Sequence, residues 1–188
     1  TRLERPALEA TLRGLALPLQ EGRRRVVSWP GWALHEGRLG APLEAAEVQK
    51  LESEIGPLPA GYRDFVVQVA ATGAGPGYGL LSPTSASQRA LTAGDFAWKD
   101  GTSPKEPPRG VLALAHAGCG VMWLLVLRGE HAGEVWVDAG GADHIARRVA
   151  PDFQSFYRAW MHSCVRDDLD FVQWDPRCCA TANVLSQV

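Results

Sequence analysis

The stretch GVLALAHAGCGVMWLLVLRGEHAGEVWVDAGG, residues 110–141, decides the fold that this sequence predicts. Apolar runs at residues 111–116, 120–127 and 134–138 are separated by short segments that contain glycine, which is typical of strands joined by tight turns. Consecutive strands with connections this short pair antiparallel. The stretch therefore predicts a three-stranded antiparallel meander.

The middle strand of this meander predicts a sheet with both faces at least partly covered. Both of its alternating sets of residues are apolar. One face carries Val121, Trp123, Leu125 and Leu127, and the other carries Met122, Leu124 and Val126. Such a strand is typical of a central position, because successive side chains point to opposite faces of a sheet. In the third strand, Val135 and Val137 share one face and Trp136 lies on the other.

Helical periodicity before and after the meander supplies the layers that cover the sheet. Residues 43–55 repeat apolar side chains on one stripe, and a second helix starts near Pro59 and ends at Gly73, so the two form an αα-hairpin. Residues 151–164 carry a continuous aromatic stripe. The predicted fold class is α+β, with a mostly antiparallel central sheet near residues 111–138 covered by the N-terminal αα-hairpin and the C-terminal aromatic-striped helix.

The other segments are less regular. Shorter elements are predicted as a helix within 1–20, edge strands or a covering arm at 26–29 and 32–39, a strand at 78–81 inside a mobile glycine-rich loop, and a helix or strand near 88–98. The predicted organisation is an N-terminal extension, 1–40, packed on or flanking one domain, 41–165, followed by a tail or short helix, 166–188.

Composition limits the class of protein. The chain has 188 residues, 46% hydrophobic and 21% charged, with a formal net charge of −2, as expected of one soluble globular domain. Residues 1–40 are basic and residues 41–188 are acidic, which argues against direct binding of nucleic acid and permits a basic protein partner. No apolar run reaches the ~18 to 20 residues of a membrane span, no secretory signal is evident, and the cysteines lack the spacing of a disulfide framework. We therefore expect a cytoplasmic protein.

One short motif invites a catalytic interpretation, Gly118–Cys119–Gly120 with His116 close before it. A nucleophile elbow, however, requires a strand–turn–helix arrangement, whereas Cys119 falls in a turn between two strands. No metal-ligand spacing occurs, residues 73–79 lack the ending of a phosphate-binding loop, and the acidic run at 167–170 is typical of a solvated helix start. The sequence therefore predicts no catalytic residue, cofactor or metal site, and a protein that is not an enzyme.

The order of the motifs resembles the SUKH superfamily. LEAAEVQKLESEIGPLPAGYRDFVVQVAATG, residues 43–73, resembles the opening of that family, with its Gly-x-Leu-Pro connection and its aromatic positions at Tyr62 and Phe65. The later family pattern resembles Gly118–Cys119–Gly120, the strand 121–127, the strand 133–138 and the Phe-x-x-Phe helix at 153–156. Thr72–Gly73–Ala74 departs from the usual Asn-Gly-Gly, and residues 84–109 do not align.

The resemblance implies an α+β domain without catalytic residue or cofactor. The superfamily includes a fungal cell-wall-synthesis regulator and many bacterial immunity proteins of polymorphic toxin systems, which bind and neutralise a cognate toxin. By this resemblance the expected partner is a cognate toxin, such as a basic nuclease-type toxin, and neither nucleic acid nor a membrane; the oligomeric state stays open. The alternatives are a non-catalytic scaffold or regulatory module of the same fold and, least favoured, a small Cys-dependent enzyme.

Candidate partner contacts are polar or aromatic residues in the loops and at the ends of the meander. They are Tyr78, Asp95, Trp98, Asp100, Glu130 and Asp138. Trp98 stands among charged residues in an irregular region, where an aromatic side chain can anchor an interface. A loop aromatic tucked into the fold is the alternative for the same residue.

Overall fold

The structure, a computed structural model, describes residues 3–16, 32–118, 120–139 and 145–166. The helices in these ranges are α1 (Arg5–Ala16), α2 (Trp32–His35), α3 (Ala45–Ile55), α4 (Ala60–Gln68) and α5 (Phe153–Arg166), with a 3-10 helix at Ala86–Leu91. The strands are β1 (Val111–Gly118), β2 (Val121–Val126), β3 (Val135–Asp138) and β4 (Ala146–Ala150). The predicted α+β fold class is confirmed.

The four strands form one antiparallel sheet in the order β1-β2-β3-β4. The first three confirm the predicted meander, whereas β4 is absent from the sequence prediction. Its sequence, ARRVA, exposes Arg147 and Arg148 at the edge of the sheet, so its apolar alternation is weak. The strand is stabilised instead by its pairing with β3 and by an ion pair of 3.1 Å between Arg148 and Glu134.

Both faces of the sheet are covered, as the alternation in β2 predicts. On one face, Trp123 and Leu125 belong to a main cluster that also contains the buried side chains of α1, α3, α4 and α5. On the other face, Leu124 and Val126 belong to a smaller second cluster, whose further members are Phe96, Trp98, Val111, Ala113, Trp136 and Ala146. The cover of this second face comes from the irregular chain between α4 and β1.

The helices follow their predicted stripes, with shifted ends. The aromatic stripe of α5 is buried, with Phe153, Phe156, Tyr157 and Trp160 at most 1% exposed. A capping box begins α3, in which the Glu44 N–H donates to a Glu47 carboxylate oxygen at 2.9 Å. Helix α4 ends at Gln68 rather than Gly73, because Gly73 pairs with Leu39 and Leu80 instead of continuing the helix.

The N-terminal part of the chain is helical where the structure describes it. Leu8 and Leu12 of α1 are buried in the main cluster, and the Arg5 guanidinium donates to the carbonyl oxygens of Gly40, at 2.8 Å, and of Val69. Of the two alternatives for 32–39, the edge strand is wrong, since Trp32–His35 forms a helical turn and Leu39 alone in this range makes a strand-like bridge. The covering arm agrees with the structure, since Trp32 and Leu39 pack against the main cluster. The strand predicted at 26–29 lies outside the described residues. None of the described helices is both long and apolar enough to cross a membrane.

Candidate functional site

A glycine-rich segment after α4 lies along the outer edge of β1. Its backbone N–H groups donate to β1 carbonyl oxygens, from Tyr78 to His116 at 2.9 Å and from Leu81 to Leu114 at 2.8 Å. The short strand predicted at 78–81 is therefore present only as isolated backbone pairings with β1, and not as a regular strand. These bonds also satisfy backbone groups on an otherwise open edge of the sheet.

This segment is packed against the fold along its length, at the positions of Ala74, Gly77 and Tyr78. Gly77 has a φ of +56°, and a Cβ there would collide with the carbonyl oxygen of His116. Glycine permits this close approach because it has no side chain and tolerates positive φ. At the start of the segment, the Tyr157 hydroxyl donates to the buried carbonyl oxygen of Ala74 at 2.8 Å. The backbone that presents Tyr78 is therefore held from two sides.

Tyr78 begins a row of side chains that crosses the end of the sheet. Its ring lies edge-on to His116, with centroids 4.9 Å apart. His116 is the cross-strand partner of Met122, which is in turn the partner of Asp138. Cross-strand partners share a face of the sheet, so these residues are neighbours on one surface. We call Tyr78, His116, Met122 and Asp138 the Tyr78–Asp138 row.

The Tyr78–Asp138 row is a part of the second face that its cover leaves accessible. The covering side chains are Leu81, Leu91, Phe96 and Trp98. Met122 packs at the margin of this cluster, and His116, Met122 and Asp138 stay half-buried while Tyr78 is 39% exposed. An aromatic ring, an imidazole, a thioether and a carboxylate side by side form a surface suited to protein contact.

Two other predicted contacts, Asp95 and Glu130, lie at the opposite end of the sheet. The Phe96 N–H donates to the Arg128 carbonyl oxygen at 3.3 Å, which brings the chain around Asp95 to the turn that contains Glu130. Both carboxylates are exposed. The structure therefore divides the predicted contacts between two ends of the sheet instead of uniting them.

Trp98 and Asp100 both take part in the fold. Trp98 is 9% exposed in the second cluster, and its indole N–H donates to the Glu106 carbonyl oxygen at 3.2 Å. Of the two interpretations of Trp98, its burial agrees with the aromatic residue tucked into the fold, because the second face of the sheet requires an apolar cover. Asp100 is exposed, and one of its carboxylate oxygens accepts the Arg148 N–H at 2.9 Å, which caps the edge of β4.

His35 is a buried residue that forms a hydrogen bond with the backbone of the glycine-rich segment at Gly75. It is 7% exposed, its Nδ1 accepts the Gly37 N–H at 3.0 Å, and its ring contacts Trp32 and Trp160 edge-on. Burial lowers the pKa of His35 from its ordinary value, and a hydrogen bond with the Gly75 backbone acts in the opposite direction with a smaller effect. The imidazole is therefore neutral at pH 7 and serves as a structural support.

The described residues offer little to catalysis or metal binding. No group of three His, Cys, Asp or Glu side chains in the described ranges could hold a metal ion. A hollow beside the α3–α4 connection contains Asp152, whose carboxylate accepts the Ser155 N–H at 2.7 Å as a helix cap. It also contains Tyr62, and burial raises the pKa of that hydroxyl, so it stays protonated.

Some sequence hypotheses fall on parts of the chain that the structure does not describe. Cys119 and the acidic run at 167–170 lie outside the described residues. The flanks of the motif are described, and Gly118 and Gly120 both have positive φ in the turn between β1 and β2. This strand-to-strand context agrees with the sequence argument against a nucleophile elbow, and the Cys-dependent alternative stays a hypothesis.

Comparison with known proteins gives one match. A family model described as SMI1 / KNR4 family (SUKH-1) matches residues 42–159. The matched range contains α3, α4, all four strands and the first half of α5, and it leaves out α1 and α2. No curated protein and no solved structure matches the chain.

Proposed function

The chain belongs to the SMI1/KNR4 (SUKH-1) family, and from this membership we propose that it is an immunity protein that binds a cognate bacterial toxin in a stoichiometric complex and so neutralises it. The supporting observation is that the family match contains the whole sheet, the helices α3 and α4, and the first half of α5. The predicted SUKH resemblance is thereby confirmed, and the toxin partner is the step that we add to it.

Binding alone is enough for this function. An immunity protein acts by covering the toxin surface that carries out the damage, so it requires a rigid, accessible surface and no reacting group. The described sheet is rigid in this sense, since both faces pack against buried clusters. In the proposed function the protein acts in the cytoplasm without a catalytic step, a cofactor or a metal.

The proposed partner is a toxin with a basic surface, such as a nuclease-type toxin. The toxin surface that binds a nucleic acid must be basic, because phosphate contacts dominate that binding. Residues 41–188 of this chain carry an acidic excess, which favours association with such a surface. The immunity protein would then compete with the nucleic acid for the same face of the toxin.

Co-expression with the toxin encoded next to this chain tests the proposal. We expect the chain to restore growth of cells that express the active toxin, and a tagged chain to co-purify with an inactive toxin variant at constant stoichiometry. Growth arrest despite full expression of the chain, together with no complex, would remove the immunity function. The scaffold or regulatory module of the same fold would then be the better hypothesis.

A further inference from the structure

Two large hydrophobic side chains stay exposed among the described residues, Leu34 at 69% and Tyr78 at 39%. Leu34 stands on the single-turn helix α2. Tyr78, by contrast, has side-chain neighbours in the Tyr78–Asp138 row and a backbone that is bonded to β1. Of the two, Tyr78 is therefore the better placed to contribute to binding, because a pre-ordered aromatic residue loses little entropy on association.

The other residues of the row add an apolar contact and polar groups beside Tyr78. Met122 is half-buried between His116 and Asp138, so the centre of the row is apolar and its far end carries a carboxylate. Interfaces commonly combine a central aromatic or thioether contact with charged groups at the rim. The row has this arrangement on paired strands of the sheet, whereas Asp95 and Glu130 offer only exposed carboxylates.

We propose that the Tyr78–Asp138 row is the surface that binds the toxin, with Tyr78 as the aromatic anchor. This inference rests on the proposed immunity function and adds its binding site. The acidic excess of residues 41–188 favours a basic partner surface, because opposite charges accelerate association and like charges oppose it. The row adds the location of the contact.

The test measures binding of the full chain to a catalytically inactive form of the toxin encoded next to it. Tyr78→Ala should weaken the affinity by at least about 30-fold, as expected of an aromatic hot spot, and Tyr78→Phe should weaken it much less. Association of the unmodified chain should slow as the salt concentration rises, as expected when an acidic chain meets a basic toxin. The matched control is Leu34→Ala, which truncates the other exposed large hydrophobic side chain, outside the family match, and should leave the affinity unchanged.

The outcomes separate the binding site from the function. If the unmodified chain binds and protects while Tyr78→Ala binds equally well, the row is not the binding site and the immunity function stands. If Leu34→Ala weakens binding and Tyr78→Ala does not, the contact lies at α2 instead of the row. If the unmodified chain neither binds nor protects, both the function and the site are overturned. Unchanged melting temperatures show that the variants remain folded.

Discussion

Tyr78 and His116 are joined twice, by a hydrogen bond of 2.9 Å from the Tyr78 N–H to the His116 carbonyl oxygen and by edge-on rings with centroids 4.9 Å apart. The residue before Tyr78, Gly77, makes both contacts possible, because a Cβ at that position would overlap the same carbonyl group. The position of Tyr78 therefore depends on the absence of a side chain at residue 77.

Gly77→Ala should destabilise the protein and displace Tyr78. Alanine at this position combines the strain of a positive φ, +56°, with a collision at the His116 carbonyl oxygen. Gly101→Ala is the control, because Gly101 has a φ of +73° with no atom within 4 Å of an added Cβ. We expect a loss of about 1 to 2 kcal/mol for Gly101→Ala, from strain alone, and at least about 3 kcal/mol for Gly77→Ala. Urea denaturation measures both, and equal losses would mean that the segment shifts without penalty.

Trp98→Ala should lower stability rather than act through binding. The substitution opens a cavity in the second cluster and removes the hydrogen bond from the indole N–H to the Glu106 carbonyl oxygen. We expect a loss of about 3 to 5 kcal/mol in the free energy of unfolding, and a smaller loss for Trp98→Phe, which keeps an aromatic ring. A melting temperature that is unchanged in Trp98→Ala would show that the indole contributes nothing to the cover of the sheet.

The difference between Trp98 and Trp123 shows what could be predicted from the sequence. Trp123 lies in a strand, and the two-residue period of a strand is local, so its face could be assigned from neighbouring residues alone. Trp98 lies in irregular chain, where no period applies. Its burial depends on the distant strands that it covers, and the sequence around it does not contain that information.

The same distinction explains the errors in the elements and in the candidate site. Strand β4 depends on pairing with β3 more than on its own residues, and the end of α4 depends on the bridge between Gly73 and Leu39. The pairing of Met122 with Asp138 follows from the meander, so half of the Tyr78–Asp138 row could be predicted from the sequence. The contact between Tyr78 and His116 could not be predicted, because it depends on how the glycine-rich segment runs along β1.

Gln88→Ala should destabilise the edge of β1. The Gln88 amide donates to the Ala113 carbonyl oxygen at 2.8 Å and accepts the Ala113 N–H at 2.9 Å, as a residue of a neighbouring antiparallel strand would. Gln88 is 4% exposed, so its removal leaves two poorly solvated backbone groups. We expect a loss of about 2 to 4 kcal/mol and faster hydrogen exchange at the Ala113 amide. Ser87→Ala, at an exposed neighbouring position, is the control and should change stability by less than about 0.5 kcal/mol.

A Gln88→Ala variant with unchanged exchange at Ala113 would contradict this role of the side chain. Gln88→Glu separates the two bonds, because a carboxylate can still accept the Ala113 N–H but cannot donate to the carbonyl oxygen. We therefore expect Gln88→Glu to protect the Ala113 amide from exchange better than Gln88→Ala does.

Stability should fall as the pH decreases below the ordinary pKa of histidine, 6.5, because of His35. Its pKa is lowered in the folded protein, so below pH 6.5 the unfolded chain binds a proton that the folded protein does not. The stabilisation is complete above that pH and is lost progressively as the pH falls towards the lowered pKa of the folded state. Protonation at Nδ1 would also break the hydrogen bond from Gly37. His35→Asn removes the titration and should flatten the dependence of the urea midpoint on pH between about 7 and 5. An identical slope in His35→Asn and the unmodified protein would assign the acid sensitivity to other groups.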